Sequence, residues 1–153
     1  MKILVCTDGS EHSQKALEKA SIIAEGCNVD EVAIIHVIGD APGLNSIRDI
    51  PEETYSLSQE GKRFRKLQEE HKENKRKILS EALKIFENKN IKARTILKEG
   101  HPSDTIVNVG CEEGFDMIVI GRRGMSGLQK IFLGSVSSAV VQEAKNCSVL
   151  TVN

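Results

Sequence analysis

The sequence alternates short apolar runs, rich in β-branched residues, with longer segments whose apolar residues recur at the 3.6-residue period of a helix. Four of the runs, at residues 3–6, 32–38, 117–120 and 149–152, are almost continuously apolar. Strands have this composition when helices cover both faces of a parallel sheet, so we expect these four in the sheet interior. A fifth run, at residues 91–98, alternates polar and apolar side chains and is predicted at a sheet edge.

Four helical segments separate the predicted strands. Ser10 is placed to cap the first helix, and the second is predicted over roughly residues 58–90. Pro102 suits the first position of the third helix, and Gly134 starts the fourth. Strands joined by helical crossovers lie parallel. We therefore expect residues 1–153 to form one α/β domain, a doubly wound five-stranded parallel sheet with helices on both faces.

Glycines and hydroxyl side chains cluster directly after the apolar run at residues 117–120. The missing Cβ atoms of Gly121 and Gly124 let backbone N–H groups approach a ligand and allow a positive φ. Gly134 and Ser135 begin the predicted last helix, where free N–H groups and the helix dipole favour an anion. Each residue alone is as typical of an ordinary turn or helix cap as of a phosphate-binding site. Their combination in one stretch predicts a phosphate-binding site.

The glycines and serine form one pattern: Gly121-x-x-Gly124, nine further residues, and then Gly134-Ser135. This pattern resembles the nucleotide-binding signature of the universal stress protein family, in its ATP-binding branch. The resemblance covers essentially the whole chain, although residues 39–57 show no family feature. It implies the strand order 3-2-1-4-5, which reverses the chain direction between strands 1 and 4. Ligands in such sheets bind outside the carboxyl ends of the strands at this reversal. Three shorter matches support it: Asp8-Gly9-Ser10, His36-Val37 and Glu99-Gly100-His101-Pro102.

The resemblance also implies a role for each site residue. The glycines and serines of the signature would hold the phosphates, and Val136 would contribute its backbone. Val37 would contact adenine through its main chain, although a plain core position explains it nearly as well. Thr7 and Asp8 would meet the base and ribose, or a phosphate-bound metal. The implied nucleotide-binding residues are Thr7, Asp8, Val37, Gly121, Gly124, Gly134, Ser135, Val136 and Ser137.

The implied cofactor is ATP, with Mg²⁺ held through the phosphates, and three functions remain open. The first is a stress-response module that switches with nucleotide occupancy and hydrolyses ATP slowly or not at all. The second is a weak ATPase or phosphotransferase, for which Asp8 and His101 are the only titratable candidates near the crevice. The third is a protein-interaction module that does not use the nucleotide. Arg122 and Arg123 either neutralise phosphate charge or face solvent.

Composition excludes several other classes. The formal net charge of −1 gives no overall reason to bind nucleic acid or an anionic membrane. No apolar run approaches the roughly 20 residues of a membrane span, so a cytoplasmic protein is expected. Neither Cys-x-x-Cys nor zinc-type histidine spacing occurs, so no metal site is predicted. The four cysteines, Cys6, Cys27, Cys111 and Cys147, lie in or beside apolar segments and are predicted to be core thiols.

The chain stops soon after its last predicted strand, which the implied strand order puts at a sheet edge. An uncovered apolar edge strand is a template for pairing with a second copy. We therefore expect a homodimer with the two last strands antiparallel, and we expect Leu150→Pro to weaken it by deleting a ladder donor. The pairing residues would be Ser148, Val149, Leu150, Thr151 and Val152.

Overall fold

The computed structural model describes residues 1–39, 59–124 and 133–153. Most of the featureless stretch at 39–57 and the middle of the glycine signature lie outside the described residues. The strands are β1 (Lys2–Cys6), β2 (Glu31–Ile38), β3 (Ala93–Glu99), β4 (Met117–Gly121) and β5 (Ser148–Val152). The helices are α1 (Glu11–Gly26), α2 (Gln59–Glu87), α3 (Pro102–Glu112) and α4 (Ser135–Glu143).

The five strands form one parallel sheet in the order β3-β2-β1-β4-β5. This confirms the predicted fold class and strand order, and it confirms the edge position of β3. The sheet-interior position expected for residues 149–152 is wrong, because β5 is the opposite edge and its apolar residues are only half-buried. An apolar run does not distinguish a central strand from an edge strand.

The core lies in two layers, one on each face of the sheet. Alternate residues of a strand point to opposite faces. On one face Ile3 and Val5 of β1 pack with Leu17 of α1 and Phe86 of α2. On the other face Leu4 and Cys6 pack with residues of α3 and α4, including Ile106 and Val140. Every side chain of β1 after Lys2 is therefore buried, which explains its continuous apolar run.

The predicted helix starts are confirmed. The Ser10 side chain accepts a hydrogen bond from the Ser13 N–H at 3.2 Å and caps α1. Pro102 occupies the first turn of α3, and Gly134 is the N-cap of α4. These caps fix where three helices leave the sheet, all at its carboxyl edge. No helix among the described residues is both long enough and apolar enough to cross a bilayer.

The prediction that all four cysteines are core thiols is wrong for Cys27 and Cys111, whereas Cys147 packs against the core from a half-buried position. Cys6 in β1 is buried, and burial raises the pKa of its thiol. Cys27 and Cys111 are exposed, and Cys147 is half-buried. Cys27 caps the end of α1 at the surface, and Cys111 lies on the exposed side of α3. A position next to apolar residues in sequence is therefore not a position on the buried face.

Candidate functional site: a cavity at the carboxyl ends of β1 and β4

A cavity of about 300 Å³ opens where the sheet order reverses, between the carboxyl ends of β1 and β4. Ligands in open α/β sheets bind at this kind of reversal. The structure brings all nine sequence-predicted residues together in the cavity wall, although they come from four separate regions of the chain. These residues are Thr7, Asp8, Val37, Gly121, Gly124, Gly134, Ser135, Val136 and Ser137.

The two sides of the cavity differ in chemistry. Because β2 and β4 flank β1, the side chains contributed by β2 and α3 lie on one side, and those after β4 and at the start of α4 lie on the other. The β2 and α3 side is apolar and includes Val37, Pro102 and Ile106. The opposite side includes glycines, serines, Val136 and Arg123, and Oδ2 of Asp8 faces Gly124 there. Such a cavity suits a ligand with an apolar part and an anionic part.

The start of α4 supplies the anion-binding groups. The first helical hydrogen bond runs from Ser138 N–H to the Gly134 carbonyl at 2.8 Å. The N–H groups of Ser135, Val136 and Ser137 precede that bond, so they have no carbonyl partner within the helix. They lie at the positive end of the helix dipole and in the wall of the cavity.

Two other polar groups at this helix start are already engaged with the backbone. Gly134 N–H donates to the Arg122 carbonyl at 2.9 Å. The Ser137 hydroxyl donates to the carbonyls of Arg122 at 2.9 Å and Gly134 at 3.0 Å. These bonds tie the backbone after β4 to the beginning of α4. Ser137 therefore offers a ligand its N–H group, and its hydroxyl proton holds the loop.

Gly121 and Gly124 allow other parts of the chain to pack closely against the backbone after β4. They are not needed for a positive φ. Neither Gly121 nor Gly124 lies in the left-handed region, so that expectation is wrong. A Cβ atom on Gly121 would stand 2.7 Å from the backbone carbon of His12, because the end of β4 packs directly on α1. A Cβ atom on Gly124 would stand 2.6 Å from Oδ2 of Asp8.

Asp8 links the two halves of the site. Its Oδ1 accepts a hydrogen bond from Ser10 N–H at 2.9 Å, which shapes the turn between β1 and α1. Its Oδ2 faces Gly124 in the loop after β4. A carboxylate beside the anion-binding end of α4 repels a bare anion, whereas it can share a cation with one.

Thr7, the residue after β1, is held by two side chains, those of Ser13 and His36. It is buried, and its Oγ1 lies 3.2 Å from the hydroxyl oxygen of Ser13. Its carbonyl accepts a hydrogen bond at 2.8 Å from Nδ1 of His36, which must carry a proton because a carbonyl only accepts. Burial lowers the pKa of His36, opposed by this bond to Thr7 and reinforced by Lys75. The His36 ring is only 3% exposed, and it anchors the end of β1 on β2.

His101 was a titratable candidate near the crevice, but it does not line the cavity. Its side chain is exposed, and its Nδ1 lies 3.0 Å from Oδ1 of Asp104. The Ser103 hydroxyl, and after it His101, lowers the pKa of Asp104. Pro102, the next residue, is the one that lines the cavity.

The two arginines after β4 have different surroundings. Nη1 of Arg122 donates to Oδ1 of Asn153 at 3.0 Å, beyond the end of β5. Arg123 lines the cavity. Sequence reasoning left both orientations open, because consecutive residues in a loop have no periodicity that separates inward from outward.

Sequence reasoning missed several lining residues. Ser13 is buried in the first turn of α1, one helical turn from the cap at Ser10. Ile106 follows Pro102 by four residues, and that helical spacing would have placed both on one face of α3. The remaining lining residues that were not predicted, Cys6, Ile35 and Ile120, belong to the strands that form the cavity floor.

Residues 1–153, the whole chain, match the family described as the universal stress protein family. The chain belongs to that family. The universal stress protein YxiE of Bacillus subtilis is 36% identical over 155 residues, which cover 99% of this chain and 97% of the relative. The universal stress protein MJ0577 of Methanocaldococcus jannaschii is 32% identical over 166 residues, which cover 99% of this chain and 93% of the relative.

Solved structures of universal stress proteins have the same fold. The structure of MJ0577 superposes with a TM-score of 0.74 and covers 99% of this chain and 94% of that one, at 29% identity. A universal stress protein in complex with cAMP has a TM-score of 0.65 at 25% identity, covering 100% of this chain and 96% of the other. An Arabidopsis thaliana family member with AMP bound has the same fold, with a TM-score of 0.65 at 19% identity over 99% of this chain and 90% of the other.

Proposed function

We propose that this protein binds ATP in the cavity at the carboxyl ends of β1 and β4, and that occupancy of the cavity sets its conformation or its partners. The observation that carries the proposal is the shared cavity wall: residues with free N–H groups at the start of α4 line the same cavity as apolar side chains from β2 and α3. Adenine nucleotides have one apolar end and one anionic end. Family members with cAMP or AMP bound support the same ligand class.

Each side of the cavity has a separate task in this proposal. The apolar wall, with Val37, Pro102 and Ile106, holds adenine, and the main chain of Val37 is available because the residue closes β2. The N–H groups of Ser135, Val136 and Ser137 bind phosphate oxygens. The remaining proposed site residues are Thr7 and Asp8 toward the ribose or metal, and Gly121, Gly124 and Gly134 where the backbone approaches the nucleotide.

Asp8 also fits a role in holding Mg²⁺ with the nucleotide. Mg²⁺ in nucleotide sites takes one or two carboxylates together with phosphate oxygens and waters. Asp8 provides one carboxylate on the same side as the helix start. The described residues contain no cluster of three or more metal-binding side chains. The ion would therefore depend mainly on the phosphates, and it would offset the repulsion between Asp8 and the nucleotide.

We propose further that hydrolysis is slow or does not occur. Phosphoryl transfer needs a positioned nucleophile and charge stabilisation that grows in the transition state. Backbone N–H groups and serines bind the ground state and the transition state with similar strength, which does not raise turnover. His101 is exposed and paired with Asp104, so it cannot activate a water in the cavity as placed. Asp8 is the one remaining candidate from the sequence.

A melting experiment with and without ATP–Mg²⁺ tests the binding. A ligand that binds only the native state stabilises it by about 2.7 kcal/mol at 100 times its Kd. An unchanged melting temperature with ATP–Mg²⁺ would favour a nucleotide-independent interaction module.

Phosphate release at saturating ATP–Mg²⁺ tests the absence of turnover. We expect release far slower than about 1 s⁻¹, the low end of ordinary enzyme rates. Faster release that is lost in Asp8→Ala would make the protein an ATPase with Asp8 as a catalytic residue.

A further inference from the structure

Arg123 occupies a different environment from Arg122, although the two are consecutive. Arg122 has its backbone fixed by Val152, Gly134 and Ser137, and its guanidinium donates to Asn153. Arg123 follows that fixed backbone directly, and it is one of the residues that line the cavity. It is the only cationic side chain among the described residues that line the cavity.

The Arg123 side chain is half-buried without a protein partner for its Nε. The Nε–H group is buried, and within the described part of the chain it has no hydrogen-bond acceptor. A buried donor without a partner costs about 1–3 kcal/mol, and the cost is larger when the group carries a charge. An anion in the cavity would offer acceptors to the guanidinium, which binds phosphate with two parallel hydrogen bonds.

We infer that Arg123 is a specificity-determining residue that binds the phosphates beyond the first one, so that the site prefers ATP to AMP. The inference rests on the proposed function. Two features suited to anions occur among the residues that line the cavity, the helix start at Ser135–Ser137 and the cationic residue Arg123. A monophosphate needs only one of them, and a longer phosphate chain engages both.

The charges of the residues that line the cavity also favour a role for Arg123 in the preference for ATP over AMP. Asp8 is the only anionic side chain among the described residues that line the cavity. A longer phosphate chain brings more negative charge close to that carboxylate, so its binding depends more strongly on a compensating cation. Arg123 supplies a fixed cation in the wall, in addition to any Mg²⁺ bound by the nucleotide itself.

Calorimetric titration of ATP–Mg²⁺ and of AMP into the full-length protein tests the inference, with Arg123→Gln and the matched control Arg122→Gln. We expect Arg123→Gln to weaken ATP binding at least about tenfold, the effect of losing one charge-assisted hydrogen bond, and to change AMP binding less than about threefold. Arg122→Gln should change neither affinity, because its side chain bonds to Asn153 outside the cavity. Arg123→Lys keeps the charge without the two-pronged geometry and should lie between Arg123→Gln and wild type.

The possible results separate this inference from the proposed function. If wild type binds ATP and Arg123→Gln keeps the wild-type ratio of ATP to AMP affinity, the inference is wrong and the binding function stands. The same holds if Arg122→Gln has the larger effect. If Arg123→Gln does not fold, an unchanged ratio in folded Arg123→Lys overturns the inference, and a reduced ratio supports it. Wild-type protein that binds neither nucleotide contradicts the proposed function, and the inference with it.

Discussion

Oδ2 of Asp8 lies 2.6 Å from the position that a Cβ atom on Gly124 would occupy. The turn after β1 and the loop after β4 therefore meet at this point, with no space for a side chain on the glycine. Because Asp8 and Gly124 both line the cavity, a substitution at Gly124 changes the cavity before it changes the core.

We predict that Gly124→Val folds and loses most of its nucleotide affinity. The branched side chain would displace the Asp8 carboxylate and enter the cavity, while the carboxylate, as the end of a side chain, can move aside without a shift of the backbone of β4 or α1. We expect at least about tenfold weaker ATP binding, or about 1.4 kcal/mol, with a melting temperature near that of wild type without nucleotide. Titration calorimetry and a thermal melt measure the two quantities. Unchanged affinity would remove Gly124 from the site.

Gly121→Ala is the matched contrast, and we predict that it destabilises the fold. Its Cβ atom would stand 2.7 Å from the backbone carbon of His12 and 2.9 Å from the backbone nitrogen of Ser13. Backbone atoms of α1 cannot rotate aside, so the strand or the helix must shift, at a cost of about 1–3 kcal/mol. Urea denaturation measures the change in the free energy of unfolding. Wild-type stability in Gly121→Ala would show that the contact between β4 and α1 is looser than described.

Much of the fold follows from the sequence because burial on both sheet faces leaves a direct mark on composition. Ile3, Leu4 and Val5 are fully buried, and their continuous apolar run predicted a covered strand. The same signal misplaced residues 149–152, whose side chains are only half-buried at the edge. The strand order itself came from the family resemblance, because the apolar pattern alone allows several orders.

All nine residues predicted for the site line the cavity, but the positive φ predicted for Gly121 and Gly124 is wrong. Glycine spacing in the sequence indicates that a Cβ atom is not tolerated, but it does not say whether φ or a close contact is the cause. At Gly121 and Gly124 the cause is a close contact with α1 and with Asp8. The orientation of Arg123 and the lining by Ser13 depend on how distant segments pack, which no local pattern contains.

The backbone directions in β5, an edge strand of the sheet that the described residues form, refine the predicted dimer. Ser148 N–H bonds to the Asp116 carbonyl, and the Val152 carbonyl accepts from Arg122 N–H, so Ser148, Leu150 and Val152 direct their backbone groups toward β4. Backbone groups of alternate residues point to opposite sides of a strand. Val149 and Thr151 therefore direct theirs toward the open edge. Leu150→Pro, expected from the sequence to act on the dimer, would first disrupt the pairing of β5 with β4.

We predict that the protein is a homodimer through antiparallel β5 strands, and that Thr151→Pro produces a folded monomer. Proline removes the outward N–H of Thr151, and a proline is tolerated where that group faces away from the sheet. Light scattering at micromolar concentration measures the mass, and a thermal melt confirms folding. Leu150→Pro is the control and should lower the melting temperature instead. A monomeric wild type, or a Thr151→Pro variant that remains dimeric, would contradict the proposed interface.

We predict that His36 makes the fold less stable as the pH falls below neutrality. Burial holds the pKa of His36 below its ordinary value near 6.5, so the unfolded chain takes up the proton first. The stability that His36 contributes is therefore complete above about pH 6.5 and is lost as the pH falls through the folded-state pKa. The slope of unfolding free energy between about pH 7.5 and 5.5 should decrease in His36→Asn. Equal slopes in His36→Asn and in the wild-type protein would refute the prediction.

A crystal structure of the protein grown with saturating ATP–Mg²⁺ would show whether the cavity holds the nucleotide. We predict nucleotide density in the cavity, with adenine against Val37 and Ile106 and the phosphates at the N–H groups of Ser135, Val136 and Ser137. An empty cavity at saturating ATP–Mg²⁺, or a nucleotide bound only elsewhere on the protein, would contradict the account.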